Sequence, residues 1–307
     1  MHNIAVIGCG YWAEVVVKNI NKNNKLNFKY LVCRNKKNSS KFKKIIKFRN
    51  IKQLVLKYQI DGIYAAAEPK TNLSIVKFAY QKKIPCIIEK PMATNTKDAK
   101  KIYDYAYKKN LPIFINQSHL YDHKFLQLSK YIKERGKIKK ILIIEGGKGP
   151  FRKNIHPIWD WGIHAISSLI SIIGDVPYYS IKKKNLKKKD KYGKKGLVSK
   201  ITIQLKSGLV AKIITGNLLK EKNRIIKVIF FDESFAQYNF ITGDCFYIYN
   251  KKRTNINANL NFNQTPLQTM LNKFTYSIEN KFKNFELDIL KISFASVKIL
   301  EKYFPVK

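Results

Sequence analysis

Acidic side chains are scarce: 20 Asp and Glu stand against 60 Lys and Arg in 307 residues, for a formal charge of +40. Such an excess invites a nucleic-acid reading, but two further features turn it away. Arginine, the better base reader, occurs only at positions 34, 49, 135, 152, 224 and 253. The lysines run along the whole chain instead of forming one patch, and they are enriched together with asparagine and isoleucine, as an AT-rich coding sequence produces. The exception is Lys182 to Lys195, a dense basic stretch that reads as a hairpin tip, either a solvated loop or a contact for anionic substrates or membranes. No apolar run approaches the ~20 residues of a membrane span. Strand-like sequence begins at Asn3, leaving no room for a signal or transit peptide before it, so a cytoplasmic protein is expected. The four cysteines (Cys9, Cys33, Cys86, Cys245) contain no Cys-x-x-Cys pair and are expected to be reduced structural thiols.

Hydrophobic residues make up 45% and aromatics 13%, which fits a globular chain with room for two domains. Asn3 to Ile7 reads as a buried strand, followed by Gly8-Cys9-Gly10-Tyr11-Trp12-Ala13 and a helix through about Asn21. This is G-x-G-x-x-A between a strand and a helix. Gly8 makes the turn, Gly10 lets a pyrophosphate approach the backbone, Ala13 permits close packing, and the helix start offers N–H groups to phosphates. Strands and helices then alternate to Ile115, which implies a doubly wound parallel sheet. After Asn116 the texture changes. A helix near Lys124–Arg135 precedes a run of strands through Tyr249, and two amphipathic helices close the chain, near Leu267–Asn280 and Asp288–Tyr303. This pattern predicts an α+β region with an open, mainly antiparallel sheet.

Two stretches carry chemistry. Cys86, Ile87 and Ile88 form a short buried strand that Glu89-Lys90-Pro91 ends, so a lysine fixed by a proline arrives at a strand's carboxyl end, where ligands bind in open α/β sheets. In isolation, Glu89 and Lys90 read as ordinary loop charges, and only the flanking motifs change that. Farther on, Trp159-Asp160-Trp161-Gly162-Ile163-His164 opens a helix with Asp160 and His164 four residues apart on one face. A helix start favours a carboxylate and keeps an imidazole near neutral, ready to exchange protons. An Asp cap with a His partner is the competing reading. His119 and His123 share the same spacing without a third ligand, so no metal site is expected.

With Gly-Cys-Gly-Tyr-Trp-Ala, Glu89-Lys90-Pro91 and Asp160-Trp-Gly-Ile-His164 in this order, the chain resembles the Gfo/Idh/MocA family of NAD(P)-dependent oxidoreductases over nearly its whole length. The resemblance implies a Rossmann domain over residues 1–117 and an α+β substrate and oligomerisation domain over 118–307, its closing helices free to pack back on the first. It implies hydride transfer at a carbinol or keto carbon of a sugar, cyclitol or nucleotide sugar, possible uses including surface polysaccharide synthesis. Lys90, Asp160 and His164 are the implied catalytic residues. Gly8, Gly10, Tyr11, Trp12, Ala13, Arg34, Pro69, Asn72, Glu89 and Lys90 are assigned to the cofactor, and Asn116, Arg152 and His156 to the substrate. Two departures stand out: Asn72 replaces the histidine of a Thr-Pro-x-x-x-His pattern, and Ser167 replaces an aspartate that often follows the Asp-x-Gly-x-His motif. A non-catalytic NAD(P)-binding regulatory protein of the same fold remains the alternative. Because no acid lies between Val15 and Ile60, and Arg34 ends the second strand with Lys36 and Lys37 beyond, NADP is expected over NAD. A homo-oligomer formed through the second sheet is expected, and nucleic acid is not.

Overall fold

The computed structural model describes residues 1–108, 110–152, 155–189, 195–256, 264–281 and 287–305. They fall into two compact units: residues 1–118 with 264–294, and residues 119–263 with 295–307.

The first unit is built on six strands: β1 (His2–Ile7), β2 (Leu26–Val32), β3 (Ile46–Phe48), β4 (Gly62–Ala65), β5 (Cys86–Glu89) and β6 (Ile113–Asn116). Their order is β3-β2-β1-β4-β5-β6, every pair parallel. Strands covered on both faces need apolar residues throughout, which is why Cys86, Ile87 and Ile88 form an unbroken buried run. The helices are α1 (Tyr11–Ile20), α2 (Lys36–Ser39), α3 (Ile51–Lys57), α4 (Asn72–Lys82) and α5 (Thr96–Tyr107). Asn35, Asn50 and Asn95 cap α2, α3 and α5 with their side-chain oxygens. After α6 (His123–Arg135) and α7 (Ile163–Ile173), which belong to the second unit, α8 (Pro266–Glu279) returns to this one. It opens with a Thr265–Gln268 capping box and sets Phe274 edge-on to Phe114 at 5.5 Å. A Cβ at Gly62 would come within 2.8 Å of the Phe274 ring, so that glycine admits α8 to the sheet. The last helix, α9 (Asp288–Tyr303), begins in the first unit and ends in the second.

The second unit carries eight strands: β7 (Ile138–Lys148), β8 (Tyr178–Lys189), β9 (Lys195–Leu205), β10 (Val210–Gly216), β11 (Leu218–Phe230), β12 (Phe235–Asn239), β13 (Cys245–Tyr249) and β14 (Lys252–Asn255). The order is β14-β13-β12-β11-β7-β10-β9-β8. All pairs are antiparallel except β7 with β10. That exception arises because β7 is inserted between strands that follow it much later in the chain. One face buries Ile141, Ile143, Ile213, Ile226 and Val228, against which α6 and α7 pack. The opposite face keeps Leu142, Ile144, Ile214 and Ile225 half-buried, and Ile144 pairs with Ile214 on one side and Ile225 on the other.

Two expectations are corrected here. The basic stretch is not simply a hairpin tip: Lys182 to Lys189 lie in β8, the edge strand of the sheet, while residues 190–194 lie outside the described residues. Lys182, Lys183, Lys184 and Lys187 are exposed there, and lysines along an edge discourage pairing with another chain. Nor are all four cysteines reduced: Cys9 and Cys33 form a disulfide with a Cα–Cα distance of 5.9 Å, while Cys86 and Cys245 are free and buried. The pairing follows from the register, since Ile7 lies opposite Val32 and both cysteines come just after those strand ends. Among the described residues, no helix is long and apolar enough to cross a membrane.

Candidate active site

In the first unit the site begins at the turn after β1. Gly8 has φ +111°, and a Cβ there would lie 2.2 Å from the Ala66 carbonyl oxygen, so only glycine fits. A Cβ at Gly10 would meet nothing within 4 Å. Gly10 is also the N-cap of α1 without any side-chain cap bond, and Ala13 is fully buried behind it. The turn is thus open at its mouth, with first-turn N–H groups unclaimed by a capping side chain, an arrangement suited to a pyrophosphate. Tyr11 is exposed at its rim. Arg34 follows β2 on the surface, at the adenosine end expected of such a domain.

Glu89 organises the carboxyl ends of the strands. Its Oε1 accepts hydrogen bonds from Trp12 Nε1, from Tyr64 Oη at 2.9 Å and from Asn116 Nδ2 at 2.9 Å; Asn116 also donates to the Tyr64 oxygen at 2.9 Å. Burial pushes the Glu89 pKa up, opposed by the three donors and by Lys90. Burial, and the Glu89 charge after it, hold the Tyr64 phenol well above its ordinary value.

Asn72, wholly buried at the start of α4, shares its amide N–H groups among the carbonyls of Glu89 (3.0 Å), Pro91 (3.2 Å) and Met92 (3.3 Å). It therefore grips the backbone on both sides of half-buried Lys90. Pro69, also buried, starts the 3₁₀ turn that leads into α4. Where the resemblance implies a histidine, this chain thus has a residue working on the Glu-Lys-Pro turn.

In the second unit, residues Ile158–Gly162 form a π-turn that runs directly into α7, instead of the plain α-helix start expected. Trp159 is buried and donates to the Phe304 carbonyl at 2.8 Å, and Trp161 donates to the Gly149 carbonyl at 3.2 Å. A Cβ on Gly162 would meet the Ile158 side chain at 2.8 Å, so glycine is what lets this turn close. Asp160 is buried, and its Oδ2 accepts from Arg152 Nε at 2.9 Å. Arg152, expected to meet substrate, therefore pairs with the candidate catalytic carboxylate. His156 Nδ1 accepts from the Ile158 N–H at 3.3 Å; desolvation and then Lys187 and Lys183 lower its pKa.

His164, on the first turn of α7, has its Nδ1 3.2 Å from Nδ1 of His119, whose Nε2 lies 3.0 Å from Ser167 Oγ. Sequence reasoning weighed His119 only as a metal ligand, and Tyr64 was missed altogether. No local signal marks either residue, because each meets its partner across elements distant in the chain.

A family model described as an oxidoreductase family with an NAD-binding Rossmann fold matches residues 2–117. An uncharacterized oxidoreductase from Schizosaccharomyces pombe is 26% identical over 152 residues, 45% of this chain and 41% of that relative, so the chain covers about two fifths of its length. Among solved structures, the aldose-aldose oxidoreductase of Caulobacter crescentus, complexed with glycerol, superposes with a TM-score of 0.81 at 12% identity, over 98% of this chain and 96% of that one. The UDP-N-acetylglucosamine 3-dehydrogenase of Acidithiobacillus ferrooxidans gives a TM-score of 0.77 at 15% identity, over 99% and 97%. These likenesses extend the shared fold to both units, and residues 2–117 match the Gfo/Idh/MocA oxidoreductase family model with its NAD-binding Rossmann fold.

Proposed function

We propose that the protein is an NAD(P)-dependent dehydrogenase or reductase that moves a hydride between the nicotinamide and a carbinol or keto carbon of a sugar, cyclitol or nucleotide sugar. The observation that carries this reading is the treatment of Lys90. It stands at the carboxyl end of β5 with both flanking carbonyls held by Asn72, while the neighbouring Glu89 carboxylate is fixed by Trp12, Tyr64 and Asn116. A loop charge of no consequence does not call for such support.

The open mouth beside Gly10, where a Cβ would meet nothing, fits a dinucleotide pyrophosphate. The nicotinamide, when bound, supplies the hydride acceptor or donor. Gly8, Gly10 and Ala13 shape the phosphate turn, Tyr11 and Trp12 border it, and Arg34 is offered to the adenosine end. Lys90 polarises the reacting oxygen, His164 exchanges its proton, and Asp160, paired with Arg152, orients them. Lys90 as the proton carrier is the variant of this scheme. Because exposed Arg34 follows β2 and the sequence holds no acid between Val15 and Ile60, NADP is the favoured cofactor.

The half-buried row Ile214, Ile144 and Ile225, on the face of the second sheet opposite Ile141 and Ile143, supports a homo-oligomer formed through that face. A cytoplasmic setting and a role in building surface polysaccharide complete the proposal. The second reading is a non-catalytic NAD(P)-binding regulator, favoured by Asn72 and Ser167 where relatives carry a histidine and an aspartate. Supplying oxidised cofactor with hexoses, cyclitols and UDP-sugars and following its reduction separates the two. Reduction by any of them supports the enzyme; saturable cofactor binding with no reduction supports the regulator.

A further inference from the structure

We infer that His119 is a positioning residue that fixes the tautomer of His164, leaving the Nε2 of His164 unprotonated as the atom that takes the substrate proton. The inference rests on the assignment of His164 to proton exchange.

The argument is a count of protons. Ser167 is fully buried, and its hydroxyl lies 3.1 Å from the His164 carbonyl oxygen, the acceptor three residues back that a helical serine commonly takes, so its single hydrogen is assigned to that bond. With the hydrogen assigned there, the Ser167 oxygen acts as acceptor toward His119, and the 3.0 Å contact is a donation from His119 Nε2–H. A neutral imidazole protonated on Nε2 presents a lone pair at Nδ1. The Nδ1 to Nδ1 contact of 3.2 Å with His164 then requires the proton to sit on His164, which leaves that ring's lone pair on Nε2. The chain of donations runs from His164 Nδ1 to His119, from His119 Nε2 to Ser167, and from Ser167 back to the His164 carbonyl. It closes on the residue it orients.

Packing holds the relay in place. His119 is 3% exposed, and its ring lies edge-on to Phe240 at 6.1 Å and tilted against Phe125 at 6.2 Å; the two histidine rings are nearly perpendicular at 77°. An aspartate in the orienting place, as in hydrolytic triads, would both fix the tautomer and raise the imidazole's proton affinity through its charge. A neutral imidazole fixes the tautomer without that charge. It leaves His164 a weaker base that returns its proton readily, which suits a reversible alcohol–ketone interconversion.

The test begins with tautomers, read from long-range proton–nitrogen correlations on the full protein with ¹⁵N-labelled histidine, where only five histidines contribute. Expected are a protonated Nδ1 and an unprotonated Nε2 on His164, with the reverse on His119; a proton on His164 Nε2 overturns the inference whatever the activity. Kinetics read the rest. His119→Phe is expected to lower kcat roughly tenfold to hundredfold with KM little changed. His119→Asn, whose side-chain oxygen can accept from His164 in place of Nδ1, is expected to recover most of that loss, whereas His119→Gln, which reaches Ser167 instead, is not. Equal kcat in wild type and His119→Phe overturns the positioning role. Full turnover in His164→Ala, with the tautomers as predicted, shows instead that the proton assignment underlying the inference is what failed.

Discussion

The amide nitrogen of Asn72 lies 3.0 Å from the Glu89 carbonyl oxygen and also reaches the Pro91 carbonyl at 3.2 Å, so one buried side chain spans the residue between them. Lys90 owes its fixed place at the end of β5 to that grip. Asn72→Leu keeps the volume but leaves buried carbonyls without their donor. It should cost about 2–3 kcal/mol in urea unfolding and weaken turnover beyond the loss of folded protein. A variant as stable and as active as wild type would show that Asn72 does not hold the turn.

Lys90→Met should retain the fold, since Lys90 stands past the strand and outside the apolar core, while removing most turnover at saturating substrate. Circular dichroism and steady-state rates measured together decide this. Substantial residual kcat in a folded variant removes Lys90 from the chemistry.

Glu89 yields a pH prediction with a definite sign. Its folded pKa is raised above the ordinary 4.5, chiefly by burial, so the folded state keeps the proton longer than the unfolded chain. Stability contributed by this group is present at low pH and is lost as pH rises from the unfolded value through the folded one. Glu89→Gln retains an oxygen to accept from Trp12, Tyr64 and Asn116 but does not titrate. Urea unfolding between about pH 4 and pH 7 should therefore show the variant gaining on wild type as pH rises. A difference that stays constant, or moves the other way, contradicts the burial of this carboxyl.

Much of this site was legible in local sequence. The Gly8–Ala13 turn, the Ile87–Ile88 run ending in Glu-Lys-Pro, and α9 from Asp288 to Tyr303 are each dictated by neighbours along the chain, and the structure has them. What escaped depends on register between distant segments. The Cys9–Cys33 disulfide exists because β1 and β2 run parallel with Ile7 opposite Val32. Trp12 from the start of α1, Tyr64 from β4 and Asn116 from the end of β6 converge on Glu89, and no spacing along the chain records that. The parallel pairing of β7 with β10, and the placement of Lys182–Lys187 on a sheet edge, are likewise decisions of topology. The π-turn at Ile158–Gly162 reflects tight packing around Gly162, which helical periodicity does not reveal.

The proposed preference for NADP rests on Arg34. If it forks onto a 2′-phosphate, Arg34→Ala should weaken NADP by roughly 1.5–3 kcal/mol and leave NAD nearly unchanged. Calorimetric titration of both cofactors at two salt concentrations reads this directly. Equal affinities in wild type, or equal losses in the variant, contradict a preference for NADP.

The central claim is that hydride leaves the nicotinamide for a sugar-like carbon, and following that hydride tests it most directly. Reduced cofactor deuterated at the transferring position of its nicotinamide ring is incubated with the protein and a small-molecule extract of the cells that make it, and the products are analysed by mass spectrometry. The account predicts deuterium on a carbinol carbon of a sugar, cyclitol or nucleotide sugar, with the label absent when Lys90→Met replaces wild type. Saturable cofactor binding with all deuterium retained on the nicotinamide would contradict it and favour the regulatory reading.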